Sequence, residues 1–161
     1  REVGIEFNSL SKAYNCCGWR IGMALGNQEI ISAMAKVKSH SDRGIYYPIQ
    51  VAATAALNGP IDFMEGRNKM FTERRDVVVD ALSKLGIKAS RPKATFYVWA
   101  PVPQGHGTSK EFCFSFLEKE AVWMIPGSMY GQYGEDYFRI ALTHPAERLG
   151  EAMARMARFL G

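Results

Sequence analysis

Cysteine and histidine are scarce in this chain, with three of each among 161 residues. Cys16 and Cys17 are adjacent and Cys113 stands alone, so there is neither a disulfide framework nor a Cys-x-x-Cys metal spacing. His40, His106 and His144 show no ligand spacing either. The expectation is a reducing, cytoplasmic compartment and no bound metal. Long apolar runs are missing too. None approaches the ~20 residues a membrane helix needs, so no membrane partner is expected. Charge of one sign is nowhere concentrated: 20 basic residues stand against 16 acidic ones, for a net charge of +4. Pairs such as Lys36 and Lys38, or Arg74 and Arg75, extend into no basic run, which argues against nucleic acid. Repeats, low-complexity segments and flexible linkers are absent. What remains is an ordinary globular composition, 47% apolar and 22% charged, long enough to build a real core.

The informative stretch surrounds Lys12. Val3-Gly4-Ile5-Glu6-Phe7 is apolar, β-branched and aromatic, and reads as a buried strand. Polar residues begin abruptly at Asn8, the pattern of a strand ending at a loop, where α/β sheets bind ligands. Ser9, Ser11, Lys12 and Arg20 follow within twelve residues. Two hydroxyls donate hydrogen bonds to a phosphate, and a guanidinium grips two of its oxygens at once. A lysine amine forms an imine with a carbonyl, and burial beside other cations lowers its pKa toward the neutral form this needs. Pyridoxal 5'-phosphate (PLP) carries both a phosphate and an aldehyde and is held by such a lysine. The plain alternatives are turn chemistry for the serines and a solvated surface for the lysine. Arg20 lies between Trp19 and Ile21, where an unpaired charge is costly, which favours a bound anion. Arg139 sits inside the apolar run Tyr137-Phe138-Arg139-Ile140-Ala141 and likewise demands a partner, either an internal carboxylate or a ligand.

Ser9-Leu10-Ser11-Lys12, followed by Gly18-Trp19-Arg20-Ile21-Gly22, resembles the PLP-lysine segment of class I/II aminotransferases of fold type I. The stretches from Lys93 to Pro103 and from Tyr137 to Thr143 are similar to the LL-diaminopimelate aminotransferase branch. The resemblance implies an α/β fold: residues 1–59 as the C-terminal part of the large PLP-binding domain, and residues 60–161 as an α+β small domain that includes a long interdomain helix. It implies Lys12 as the catalytic Schiff-base lysine, Ser9, Ser11, Lys12 and Arg20 as cofactor contacts, and Arg139 as the fork for a substrate carboxylate. The substrates would be an amino acid and a 2-oxo acid, in that branch LL-diaminopimelate and 2-oxoglutarate on the way to lysine. Family members are homodimers and far longer, with the lysine past the midpoint. A chain that opens on Arg1 inside a strand is therefore expected to be the C-terminal portion, unable to turn over alone. The family's partners for the pyridinium nitrogen and the ring face precede the lysine. A β-lyase on the same scaffold and a non-catalytic remnant are the rival readings.

Elsewhere the sequence predicts a strand over 21–25, a helix capped by Asn27 over 28–38, and a polar loop over 39–44. In that loop His40 and Arg43 depart from the family pattern. A helix is expected over 49–57, stopped by Asn58-Gly59-Pro60, and a long one over 61–85 with a weak point at Gly66. Strands are expected over 87–90, 94–100, 121–125 and 137–142, the second of them buried on both faces. Thr108 and Glu111 form a capping box, and Leu149, Ala152, Met153, Met156 and Leu160 mark the apolar face of a last helix beginning at Pro145. Tyr97 and Trp99 are expected mainly in the core.

Overall fold

In the computed structural model, which describes residues 2–161, the elements follow one another as expected for mixed α and β structure. They are β1 (Ile5–Ser9), α1 (Leu10–Ala13), β2 (Gly22–Gly26), α2 (Gln28–Ser41), α3 (Tyr47–Asn58), α4 (Phe63–Lys84), β3 (Tyr97–Pro101), α5 (Ser109–Glu120), β4 (Ile125–Pro126), β5 (Tyr137–Ala141) and α6 (Ala146–Leu160). The chain divides into two compact units, Arg1–Met64 and Glu65–Gly161. No helix among the described residues is long and apolar enough to cross a membrane.

The first unit is built on an antiparallel pair, with Ile5 opposite Gly26 and Ser9 opposite Gly22. The strand begins later than the apolar run suggests and continues into Ser9. It is also not buried: Phe7 is 69% exposed. Apolar content alone does not bury a strand. A covering layer is needed, and β1 has a single hydrogen-bonded neighbour, β2. The small core of this unit instead gathers Leu10, Cys16 and Ala53, with Tyr14, Ile21 and Met23 against it. Asn27 caps α2 as predicted, its Oδ1 accepting from the Ile30 N–H at 3.0 Å. The helix runs on through Ser41, where a loop was expected. The hydroxyls of Ser39 and Ser41 bond back to the Lys36 and Val37 carbonyls at 2.8 and 3.0 Å, and Lys38 pairs with Asp42 at 2.6 Å. The i,i+4 pair supports the added turn, and the serine hydroxyls find acceptors on the preceding turn instead of leaving the helix. The His40 ring nitrogen Nδ1 lies 2.8 Å from the Lys36 carbonyl.

The second unit has the larger core. Its sheet runs in the order β3-β5-β4, antiparallel throughout. Val98, Ala100, Phe138 and Ile140 are buried and pack with Val78 and Leu82 of α4, Phe112 and Phe116 of α5, and Leu149, Met153 and Met156 of α6. The other face, carrying Tyr97, Trp99 and Arg139, is only half-buried, so β3 alternates instead of being buried on both sides. A one-faced sheet of this kind is the usual state of antiparallel strands. Residues 87–90 form no strand: the Ile87 N–H returns to the Leu82 carbonyl at 2.9 Å and continues the turn after α4. Of residues 121–125 only Ile125 pairs with β5, because Ala121 adopts a left-handed conformation (φ 54°) at the end of α5. α4 is continuous through Gly66. The capping box is present, with Thr108 Oγ1 accepting from the Glu111 N–H at 3.3 Å and the Glu111 carboxylate accepting from the Thr108 N–H at 2.8 Å.

Candidate active site

Ser9 ends β1 and caps α1 at the same time. Its backbone is extended (φ −134°, ψ 138°), and its Oγ accepts from the Ser11 N–H at 3.2 Å. The cap turns the chain abruptly, so that Lys12 follows Ser9 by one helical turn and is exposed. Leu10, 1% exposed, anchors this turn, and Cys16 secures it from beneath by donating Sγ–H to the Leu10 carbonyl at 3.1 Å. The chain then returns through Asn15 (φ 54°) and a 3₁₀ turn, Cys17–Trp19, to Arg20 (φ 52°). Asn15 tolerates the left-handed region, whereas at Arg20 it costs of order 1–3 kcal/mol, which the surrounding loop must offset.

The pairing of Ser9 with Gly22 closes the loop. A Cβ at Gly22 would lie 2.7 Å from the Asn8 carbonyl oxygen, so the strands approach here as only glycine permits. Arg20 stands two residues before Gly22, and the Ser9 hydroxyl reaches the Ile21 carbonyl at 3.4 Å, a long bond that a better acceptor would displace. One hairpin end therefore carries Ser9, Ser11, Lys12 and Arg20. The Arg20 guanidinium is held by the Cys17 carbonyl at 2.9 Å through one Nη, which leaves it further in-plane donors. The cluster, exposed except for half-buried Ser11, offers a phosphate two hydroxyls and a guanidinium, and offers an aldehyde an amine. The residues present thus fit PLP.

Arg139 belongs to the second unit. On β5 it faces Trp99 of β3 and Ile125 of β4. No carboxylate pairs with it among the described residues, so the internal salt bridge that an apolar strand might have supplied is not there. Its guanidinium carbon lies 4.1 Å from the Tyr97 ring centroid and 4.9 Å from that of Tyr130. Its Nε is shielded from solvent and has no hydrogen-bond partner. Tyr97, expected mainly in the core, is half-buried beside Arg139, and Tyr130 comes from the turn Gly127–Tyr130. The first becomes visible once the β3–β5 register is known, whereas Tyr130 arrives from a turn that no strand pattern connects to Arg139.

The model of the family described as aminotransferase class I and II matches residues 2–156. The chain belongs to this family. It is 53% identical over all its 161 residues to the LL-diaminopimelate aminotransferase of Desulforudis audaxviator, and 50% identical to that of Moorella thermoacetica. In both cases it spans 41% of the relative's length. Among solved structures, an aromatic aminotransferase from Pyrococcus horikoshii superposes with a TM-score of 0.93 at 34% identity, covering 99% of this chain and 43% of that one. Substrate-bound BacF from Bacillus subtilis gives 0.92 at 37% identity, covering 98% and 40%. The aminotransferase fold anticipated from the lysine segment is thereby established for the chain, as a partial α/β structure.

Proposed function

We propose that this chain is a portion of a PLP-dependent aminotransferase that moves an amino group between LL-diaminopimelate and 2-oxoglutarate. The single observation that carries the reading is the closed hairpin end, where the Ser9–Gly22 pairing brings two serine hydroxyls, Lys12 and Arg20 into one loop. The names of the most similar relatives support the substrate pair. Residues 1–59 would belong to the large domain and 60–161 to the small one, and the whole protein would act in the cytoplasm as a homodimer. The exposed apolar side chains of the first unit, such as Phe7, Leu25 and Val37, are accounted for if further chain covers them.

In this reading Ser9, Ser11 and Arg20 would hold the phosphate by charge-assisted hydrogen bonds, and Lys12 would be the residue that attaches the cofactor. Bound PLP supplies an electron sink for the substrate's α-carbon. Lys12 would hold the cofactor, and its amine would serve as base and then acid for the proton at the substrate's α-carbon. Arg139 binds the substrate α-carboxylate in two-pronged fashion.

The test is to mix the purified chain with PLP, reduce with borohydride and map the modified lysines by mass spectrometry. Label confined to Lys12 and lost in Arg20→Ala is expected. Label scattered over many lysines would overturn the claim that this loop forms the cofactor site. The chain alone is expected to show no transamination, and turnover at the rate of an intact relative would refute its being a portion of the enzyme.

A further inference from the structure

Arg139 is a cation in a half-buried position with no carboxylate to neutralise it among the described residues. Two tyrosine rings stand where a carboxylate would. Aromatic faces attract a guanidinium through the ring quadrupole without consuming any of its N–H donors. The guanidinium is consequently restrained by contacts that use none of its N–H donors, and its Nε, shielded from solvent, has no hydrogen-bond partner.

The rings are themselves held. Tyr97 lies on β3 with its ring 4.7 Å from that of Phe96, which stacks on Phe71 at 5.3 Å. Tyr130 meets the edge of Trp99 at 5.7 Å, and Trp99 in turn stacks on Tyr137 at the same distance. Tyr130 closes the 3₁₀ turn Gly127–Tyr130, whose first residue has its backbone against that of Gly134. Both rings around Arg139 are therefore buttressed from behind and not merely adjacent to it.

We propose that Tyr97 and Tyr130 are positioning residues for the Arg139 guanidinium, orienting it before a carboxylate ligand binds. This rests on the reading of Arg139 as the carboxylate fork and extends it to what sets the fork's angle. An arginine that is ordered in advance loses less side-chain freedom on binding than one that must be immobilised by the ligand. The tyrosine hydroxyls have no part in this. The ring faces do the orienting, so phenylalanine should substitute and an aliphatic residue should not.

The experiment uses the 161-residue chain with nitrogen-15-labelled arginine. The Arg139 Nε–H signal is followed by NMR, first for its order and then during titration with 2-oxoglutarate. In the wild type the signal is expected to be ordered and to shift on titration. Tyr97→Leu and Tyr130→Leu should each loosen it and weaken the 2-oxoglutarate affinity by roughly two- to tenfold, the factor corresponding to ordering one long side chain. Tyr97→Phe and Tyr130→Phe should behave as wild type, which separates a lost ring from a lost hydroxyl. Backbone amide spectra of each variant report whether the fold survives, and the phenylalanine pair keeps the test valid if a leucine variant does not fold. Leucine variants with wild-type order and affinity would overturn the positioning role alone. A wild-type signal indifferent to 2-oxoglutarate would show that Arg139 and its two rings do not by themselves form a carboxylate site, and would overturn this proposal while leaving the cofactor-lysine test to judge the function.

Discussion

The backbones of Gly127 and Gly134 touch: a Cβ built on either would fall 2.2 or 2.1 Å from the carbonyl oxygen of the other. Only residues without side chains can approach so closely. The contact folds the turns Gly127–Tyr130 and Gln132–Gly134 against each other, which is what presents Tyr130 to Arg139. Because the obstacle is backbone and not a movable side chain, Gly127→Ala and Gly134→Ala are each expected to destabilise the protein by about 3 kcal/mol or more. Urea unfolding followed by circular dichroism measures this, and a loss below about 1 kcal/mol would mean that the turns separate easily.

Gly66 presents the opposite case. It lies within continuous α4, and a Cβ there would meet nothing within 4 Å. Gly66→Ala should stabilise the chain by about 0.5–1 kcal/mol, since the helix gains a better former and the unfolded chain loses freedom. A fall in the urea midpoint would show that the glycine is needed for something other than the helix.

The three thiols should differ sharply. Cys113 is fully buried, and burial pushes its thiol up to about 12. Cys16 is buried and bonded to the Leu10 carbonyl, whereas Cys17 is exposed. Native protein treated with iodoacetamide at neutral pH is expected to be alkylated at Cys17 alone, with the other two reacting after denaturation. Rapid native modification of Cys113, mapped by mass spectrometry, would contradict the packing of α5.

Acid should weaken the cap of α5 in a predictable direction. The Thr108 N–H and hydroxyl both bond the Glu111 carboxylate at 2.8 Å, and the backbone bond chiefly holds that carboxyl below its ordinary value of 4.5. A carboxyl depressed in the folded state stabilises fully above its unfolded value, and that stability is lost as pH falls through the folded value. Glu111→Gln should therefore be less stable than wild type near neutral pH, and the difference should shrink as pH falls below the carboxyl's ordinary value of 4.5. A difference independent of pH would assign the cap's effect to shape and not to charge.

Much of the chain could be read locally. Asn27 before Gln28, the Thr108–Glu111 box and the apolar face of α6 depend on neighbours within a few residues, and the structure has all three where they were expected. That Ser9, Ser11 and Lys12 lie close together was legible for the same reason, since they fall within four consecutive residues, but the expected loop is instead the end of β1 followed by the helical turn of α1. Other features were not decided locally. The apolar run ending at Phe7 forms a strand but remains exposed, because burial depends on a second layer that the run itself does not specify. Residues 39–41 are helical with the support of the Lys38–Asp42 pair across the last turn, which the loop propensity of the serines does not overcome. Residues 87–90 turn instead of extending, because the Leu82 carbonyl captures the Ile87 N–H.

The chemistry of Lys12, Arg20 and Arg139 is a property of residue types and short spacings, and it was present before any folding was known. That Arg20 comes to the end of the strand bearing Ser9 follows from the register that sets Ser9 opposite Gly22. That Arg139 is flanked by Tyr97 and Tyr130, and by no carboxylate among the described residues, follows from the β3–β5 register and from the contact between two glycines seven residues apart. Such pairings bring together groups distant in sequence, and no local propensity encodes which of them will meet.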